Sequence, residues 1–402
     1  MIGLAYCDER GRVFYDAQRE PLADGGIVAP ARSEDLLPAP QGTVQMMLPG
    51  RSPLVRDTMP ARGVALAAIL PAGYTRLLVP AFDRAPSAPE LPLYGYTFAS
   101  VVNDELHVAA QKTDEHEDWA PRYFKAGELE EAIDTRMSVD PGNQVLRQVA
   151  LCSRKYGCFT AQNVFITRGE AALPVSPNCN AKCVGCISQL EPERNVSSPQ
   201  RRIVIETSAQ ELARVGIHHL QRVHDGIVSF GQGCEGEPLL RVSTVARAIA
   251  AIRGACHGGT VNCNTNGSLP GALQRCIDAG LQAVRISLNS FRPAVYAAYY
   301  RPYRYSLEDV FASVKLASSA GLRVSLNLLT HPGVTDDEDE LRAMEAFLST
   351  VRVDMIQTRT LNIDPEWYFD AVGRPVRAMG MRYALGRIAT RGVAIGNFTH
   401  TH

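Results

Sequence analysis

Residues 174–188 read PVSPNCNAKCVGCIS and place Cys179, Cys183 and Cys186 within eight positions. Three thiols cannot pair off among themselves as disulfides. They also fall one short of a structural zinc site, which normally takes four ligands. His218 and His219 are the nearest later candidates for a fourth, but they sit in a predicted helix far along the chain. An iron–sulfur cube is ordinarily held by four thiolates. Held by three, it keeps one iron open to another ligand.

Working outward from this loop, residues beyond 170 alternate short apolar runs with amphipathic helices. The runs are AALPVS, GIVSFGQG, GTVNCNTNG, AVRISLNS, RVSLNLLT and DMIQTRTLN. Between them, TSAQELARVGIHHLQRVH, LLRVSTVARAIAAIRGA, LPGALQRCIDAG, SLEDVFASVKLASSAG and TDDEDELRAMEAFLSTV carry apolar residues at helical spacing. Thr207 and Thr335 stand at N-cap positions, Gly280 and Gly321 at C-cap positions. Six strands alternating with helices predict an α/β fold with a parallel sheet, a partial (β/α)6 barrel. In such barrels the chemistry sits at the C-terminal strand ends. Upstream, GVALAAIL, TRLLVPAF, LYGYTFASVV and ELHVAAQ predict strands of a smaller β-rich unit, and KTDEHEDW a solvated loop. QVLRQVALCSRKYG turns helical, with Val145, Leu146, Val149 and Ala150 on one face. The expected organisation is a β-rich unit over 1–143, acting in substrate recognition or as a lid, and a helical connector over 144–169. The barrel follows over 170–365 and a helical extension over 366–402.

With 46% hydrophobic and 21% charged residues, the composition is that of a globular protein with a core. No apolar run is long enough to span a bilayer and no secretory leader opens the chain, so the expected location is cytoplasmic, without a membrane partner. The ten cysteines then point to metal binding rather than disulfides. Residues 1–150 hold 14 Lys and Arg against 21 Asp and Glu, the remainder 27 against 21. The second half suits an anionic ligand, yet falls far below the basic balance of a dedicated nucleic-acid binder.

The strand ends gather polar residues. The second run closes in GQGCEGEPLL, where Gly231, Gly233 and Gly236 allow close backbone approach and Glu237 offers a carboxylate to an ammonium. Asn264, Thr265 and Asn266 close the third run with donors and acceptors suited to a ribose, or to their own Asx turn. Arg285, Ser287 and Asn289 share one face of the fourth, and Ser325 and Asn327 one face of the fifth. Gln357, Arg359 and Asn362 close the sixth.

A CxxxCxxC loop after the first strand, a GEP turn after the second and polar positions after later strands resemble the radical S-adenosylmethionine (radical SAM) superfamily, over about residues 170–365. The resemblance implies a 4Fe–4S cluster on Cys179, Cys183 and Cys186, whose open iron is chelated by S-adenosylmethionine. Gly236 and Glu237 would bind the methionine ammonium. Ser287 and Asn289, with Asn264 and Asn266, match positions at the ribose or the methionine carboxylate, and Arg285 would neutralise that carboxylate. Asn327 is a further cofactor-binding candidate. The implied chemistry is reductive cleavage to a 5′-deoxyadenosyl radical that abstracts hydrogen from a substrate. That makes the protein an oxygen-sensitive oxidoreductase or transferase served by a reductant such as flavodoxin or ferredoxin. Peptide or protein, glycyl-radical partner and nucleoside or RNA all remain open as substrates. A non-catalytic iron–sulfur scaffold is the alternative, and it leaves Glu237, Arg285, Ser287 and Asn289 without a use.

Two features depart from the family pattern. Gly185 stands where an aromatic commonly precedes the third cysteine, and Cys234 lies within the GEP turn. Cys234 is a candidate hydrogen-atom donor, or a small buried hydrophobe. Cys152 and Cys158 are weaker candidates for a second cluster. FRPAVYAAYYRPYRY interleaves Tyr296, Tyr299, Tyr300, Tyr303 and Tyr305 with arginines, which suits base stacking or packing on the barrel rim.

Overall fold

Short runs of Val, Ile, Leu and Ala between amphipathic helices can bury both faces only as a parallel sheet covered by those helices. The structure, a computed structural model, describes residues 2–56, 60–91, 95–114, 127–191, 195–360 and 364–397. Seven parallel strands follow one another in chain order: β1 (Glu170–Ala172), β2 (Ile227–Phe230), β3 (Thr260–Thr265), β4 (Ala283–Leu288), β5 (Arg323–Thr330), β6 (Met355–Thr360) and β7 (Ala394–Gly396). Sequential order winds the sheet one way, as half a barrel. The register sets Ser287 opposite Asn327 and Asn327 opposite Gln357, so one polar row crosses three strands.

The expected helices form at Ala209–Leu220, Val242–Ala255, Pro270–Asp278, Leu307–Ser319 and Glu338–Leu348. Gly280 and Gly321 sit in the left-handed region just past two of them, as C-terminal glycines should. The N-caps differ from expectation by one or two residues. Ser208, not Thr207, forms the capping box with Glu211, while Thr207 donates to Pro174 O. Asp337, not Thr335, caps the last helix, because the Thr335 hydroxyl accepts from His331 N. The stretch after β6 is also not purely helical. Helices Pro365–Val372 and Met381–Ala389 are followed by β7, a three-residue edge strand too short to show a period.

The N-terminal unit is antiparallel, built around Ile2–Cys7, Val64–Ile69, Tyr96–Val102 and Glu105–Lys112. TRLLVPAF is not one strand: it falls into Tyr74–Arg76, Val79–Pro80 and Phe82–Arg84, Pro80 lacking the donor a continuous ladder needs. Helix Glu128–Val139 falls inside the 1–143 span expected to be β-rich, and the connector contributes Gln144–Tyr156 and Phe159–Ile166, the former burying the predicted face of Val145, Leu146, Val149 and Ala150. The end of KTDEHEDW, the start of LYGYTFASVV and Asn362 lie outside the described residues. Among the described residues no helix is long and apolar enough to cross a membrane.

The N-terminal unit docks on the far end of the sheet. Arg51 pairs with Asp364, both fully buried; Thr75 Oγ1 lies 2.5 Å from Thr358 Oγ1, and Asn397 N donates to Asp114 Oδ2 at 2.6 Å. These contacts cover the β6–β7 side of the half-barrel.

Candidate active site

The cysteine loop leaves β1 and is clamped from both sides. From the β2 turn, Gly236 N donates to Ser176 O at 2.7 Å and Glu237 N to Asn178 O at 2.8 Å. A Cβ at Gly236 would lie 2.0 Å from Asn178 O, so only glycine permits this approach. Glu235, which the sequence reading passed over, is the centre of the clamp. Its carboxylate accepts from Val175 N and Ser176 N, both at 2.7 Å, and from Gly231 N and Gln232 N at 2.8 and 2.7 Å. It thereby ties the start of the loop to the end of β2. A carboxylate inside a glycine-rich turn, where backbone N–H groups have no helix or sheet to serve, was the available signal. From the other side, Lys182 N and Val184 N donate to Tyr300 O and Tyr299 O at 3.1 and 2.9 Å.

The three thiols open into one cavity of about 710 Å³. Burial, reinforced by the neighbouring thiols, raises the pKa of Cys183 well above the usual thiol value, and burial also raises that of Cys179. Without a cation between them these thiols hold their protons, so loading the site with metal must release protons. Arg202 Nη2 lies 3.3 Å from Cys186 Sγ, while its Nε donates to Ser188 Oγ at 2.8 Å. Among the described residues no three His, Cys, Asp or Glu side chains converge closely enough for a single metal ion. The three thiols nonetheless line one cavity, which has the volume to take a multi-metal cluster.

Beyond the loop the inner face of the sheet is polar. Arg285 on β4 reaches Glu170 on β1 at 2.8 Å, an almost fully buried pair that bridges the half-barrel. Asn262 donates to Ser229 Oγ at 3.0 Å, and Asn264 to Gly231 O at 2.9 Å. A Cβ at Gly231, whose φ is +79°, would lie 1.8 Å from Asn264 O.

Residues 173–344 match the Radical SAM superfamily. That segment, less than half of the chain, is the part similar to radical SAM proteins. It is 30% identical over 167 residues to a GTP 3′,8-cyclase of Rhodobacter capsulatus, covering 41% of this chain and 45% of that protein. It is 25% identical over 198 residues to the FeMo cofactor biosynthesis protein NifB of Klebsiella pneumoniae, covering 44% and 42%. The chain thus spans about half the length of the curated relatives it matches. Among solved structures, a radical SAM methyltransferase from Sphaerobacter thermophilus aligns with a TM-score of 0.41 at 14% identity, over 56% of this chain and 64% of that one.

Radical SAM proteins use a 4Fe–4S cluster and S-adenosylmethionine, and the side chains here fit both: three thiols spread round one cavity, beside a polar wall. Of the expected site residues, Cys179, Cys183, Cys186, Gly236, Glu237, Asn264, Asn266, Arg285, Ser287 and Asn327 line that cavity. Several are engaged differently from expectation. The Glu237 carboxylate is not offered at the rim: it is buried and accepts from Thr265 Oγ1 at 2.6 Å, Asn266 N at 2.8 Å and Leu239 N at 3.0 Å. Burial nevertheless pushes its pKa up to about 7, as it does for Glu235. Arg285 is committed to Glu170 and so is not free to neutralise a ligand carboxylate. Asn266 Nδ2 donates to Asn180 Oδ1 at 2.8 Å, linking β3 to the cysteine loop.

Two expected residues lie outside the cavity lining. Asn289 is fully buried past the end of β4, where its Nδ2 is 3.3 Å from Tyr368 Oη; the strand ends at Leu288, so the alternation that defined its face stops there. Cys234 is buried against Cys152 on the connector, and burial with that contact keeps its thiol protonated. Cys152 lies against Cys234, and Cys158 Sγ is 3.3 Å from Thr160 Oγ1. His219 is buried with Nε2 on Gly169 O at 2.9 Å, a structural role. Tyr296, Tyr299 and Tyr300 are buried, Tyr296 stacking on Tyr300 and Tyr299 meeting Tyr300 edge-on, which makes most of the tyrosine-rich segment packing rather than a base platform. Tyr299 adds something else. Its hydroxyl bonds the backbone of Gly185 and its side chain lines the cavity, so an aromatic from another helix stands beside the position that lacks one.

Proposed function

We propose that this chain is a radical SAM enzyme acting on a small or flexible substrate held in the cavity beneath the cysteine loop. The reading rests on the three loop thiols opening into a cavity whose opposite wall is polar. When bound, the cluster and S-adenosylmethionine supply reductive cleavage of the sulfonium and a 5′-deoxyadenosyl radical that takes hydrogen from substrate. Cys179, Cys183 and Cys186 hold the cluster, and the clamp of Glu235 and Gly236 fixes the loop that carries them. With the Glu237 carboxylate occupied, the methionine ammonium falls to backbone carbonyls of the β2 turn. Asn264, Asn266 and Ser287 present hydroxyl- and amide-bonding groups to the ribose. Tyr299 beside Gly185 offers the adenine an aromatic surface. The N-terminal unit excludes water at the β6–β7 side, which protects a radical from quenching. A low-potential donor of the flavodoxin or ferredoxin kind supplies the electron.

The test is anaerobic reconstitution. About four irons per chain are expected, with 5′-deoxyadenosine formed on adding dithionite and S-adenosylmethionine. Full iron loading after replacing all three loop cysteines with Ala would remove the site. Formation of methylthioadenosine alone would point to other cofactor chemistry.

A further inference from the structure

We infer that the β5–β6 wall of the cavity is a subsite for a carboxylate group of the substrate, bound by the guanidinium of Arg359 with help from the Asn327 amide. The inference rests on the cavity being the active site. Arg359 lines the cavity, and among the described residues its hydrogen-bond partners are neutral oxygens. Nη2 donates to Gln357 Oε1 at 2.7 Å, Nη1 to Asn397 O at 3.1 Å, and both Nε and Nη2 reach Asn327 Oδ1 at 3.4 Å. Among the described residues no carboxylate forms an ion pair with it. The two acids nearest in charge are otherwise engaged, Glu170 by Arg285 and Asp114 by Asn397 N and Thr113 Oγ1.

Burial pushes the Arg359 pKa down only to about 10, so it stays cationic at neutral pH. A guanidinium withdrawn from bulk water without a carboxylate in direct contact is costly. At a cavity wall, that cost is recovered when an anion docks on its planar fork. A neighbour completes the site: the Asn327 amide nitrogen has no hydrogen-bond partner among the described residues, and Asn327 lines the cavity.

The methionine carboxylate of the cofactor is a poorer match. The cysteine loop follows β1, five strands away from β6 in sheet order. The cation beside the thiols is Arg202, whereas the charges around Arg359 are Arg285, Glu170 and Asp114. A phosphate dianion would call for a second cation beside Arg359, and the cation acting on it, Arg285, is already paired with Glu170.

Isothermal titration of the reconstituted protein with benzoate, N-acetylglycine, their amides and inorganic phosphate tests this. At least one carboxylate should bind about tenfold more tightly than its amide. Arg359→Gln should erase that difference while Arg359→Lys keeps part of it, both in folded, iron-loaded protein. Equal binding of acids and amides, or a difference that survives Arg359→Gln, overturns the subsite. Tighter binding of phosphate than of any carboxylate overturns the carboxylate assignment. A tenfold loss of S-adenosylmethionine affinity in Arg359→Gln assigns the residue to the cofactor instead. Iron content and 5′-deoxyadenosine formation are read separately, so failure of the radical SAM reading is distinguishable from failure of the subsite.

Discussion

The N-terminal unit and the parallel sheet both bury arginines, and they use them in opposite ways. In the N-terminal unit Arg51 is sealed against Asp364, and Arg76 is sealed and donates to Tyr96 O at 2.9 Å. In the sheet Arg359 faces open volume. A paired or sealed guanidinium joins two pieces of the fold, whereas an open one waits for a ligand. The same contrast holds for carboxylates: Asp364 serves the interface between the units, while Glu235 and Glu237 brace the turn over the cysteine loop. One region contributes closure and the other chemistry.

The largest expected effect breaks the closure side. Arg51→Ala should lower the unfolding free energy by about 3–5 kcal/mol, because it strands Asp364 as an uncompensated buried charge. Chemical denaturation measures it, and a loss below about 1 kcal/mol would mean the two units are not joined through this pair.

On the chemistry side, Gly236→Ala should cost about 1–3 kcal/mol by overpacking against Asn178 O. Its sharper readout is iron: content per chain should fall markedly, since the cysteine loop must move away from the β2 turn. Full loading would show that the loop tolerates the shift.

Glu235 and Glu237 make the apoprotein pH-sensitive. Burial raises both from 4.5 to about 7, so between those values each carries a proton in the folded state and none in the unfolded chain. Unfolding then releases protons. The stabilisation is fully present below about 4.5 and is lost as pH rises through about 7. Each group contributes a slope of at most about 1.4 kcal/mol per pH unit. Melting of the apoprotein should therefore occur at higher temperature at pH 5.5 than at pH 8, and Glu235→Gln should flatten the dependence. An unchanged slope in that variant would assign the effect elsewhere.

The smallest effect concerns Arg202, whose Nη2 contacts the loop thiol of Cys186. Arg202→Gln should lower the midpoint potential of the reconstituted cluster by roughly 30–60 mV, since hydrogen bonds and positive charge at the sulfurs favour the reduced state. A spectroelectrochemical titration with no shift would leave Arg202 a merely structural neighbour of Ser188.

Much of this was legible from local signals. The cysteine spacing, the period change after residue 170, the glycines past two helices and the alternating Arg285 and Ser287 are set by neighbours a few residues apart. The failures were of another kind. Asn289 continues the alternation of Arg285 and Ser287 in sequence, but the strand ends before it. Glu237 looked available because nothing local shows that Thr265 and Asn266 come up from the next strand. Arg285 looked available because Glu170 lies on a strand far earlier in the chain.

By itself, the sequence indicated most of the barrel strands and helices and the loop proposed to hold the cluster, because strand period, helix period and a ligand loop are short-range properties. Only the tertiary structure decided which charges are spent on one another and which remain open. Ion pairs such as Glu170–Arg285 and Arg51–Asp364 join residues 115 and 313 positions apart, and no local pattern encodes a partner at that distance.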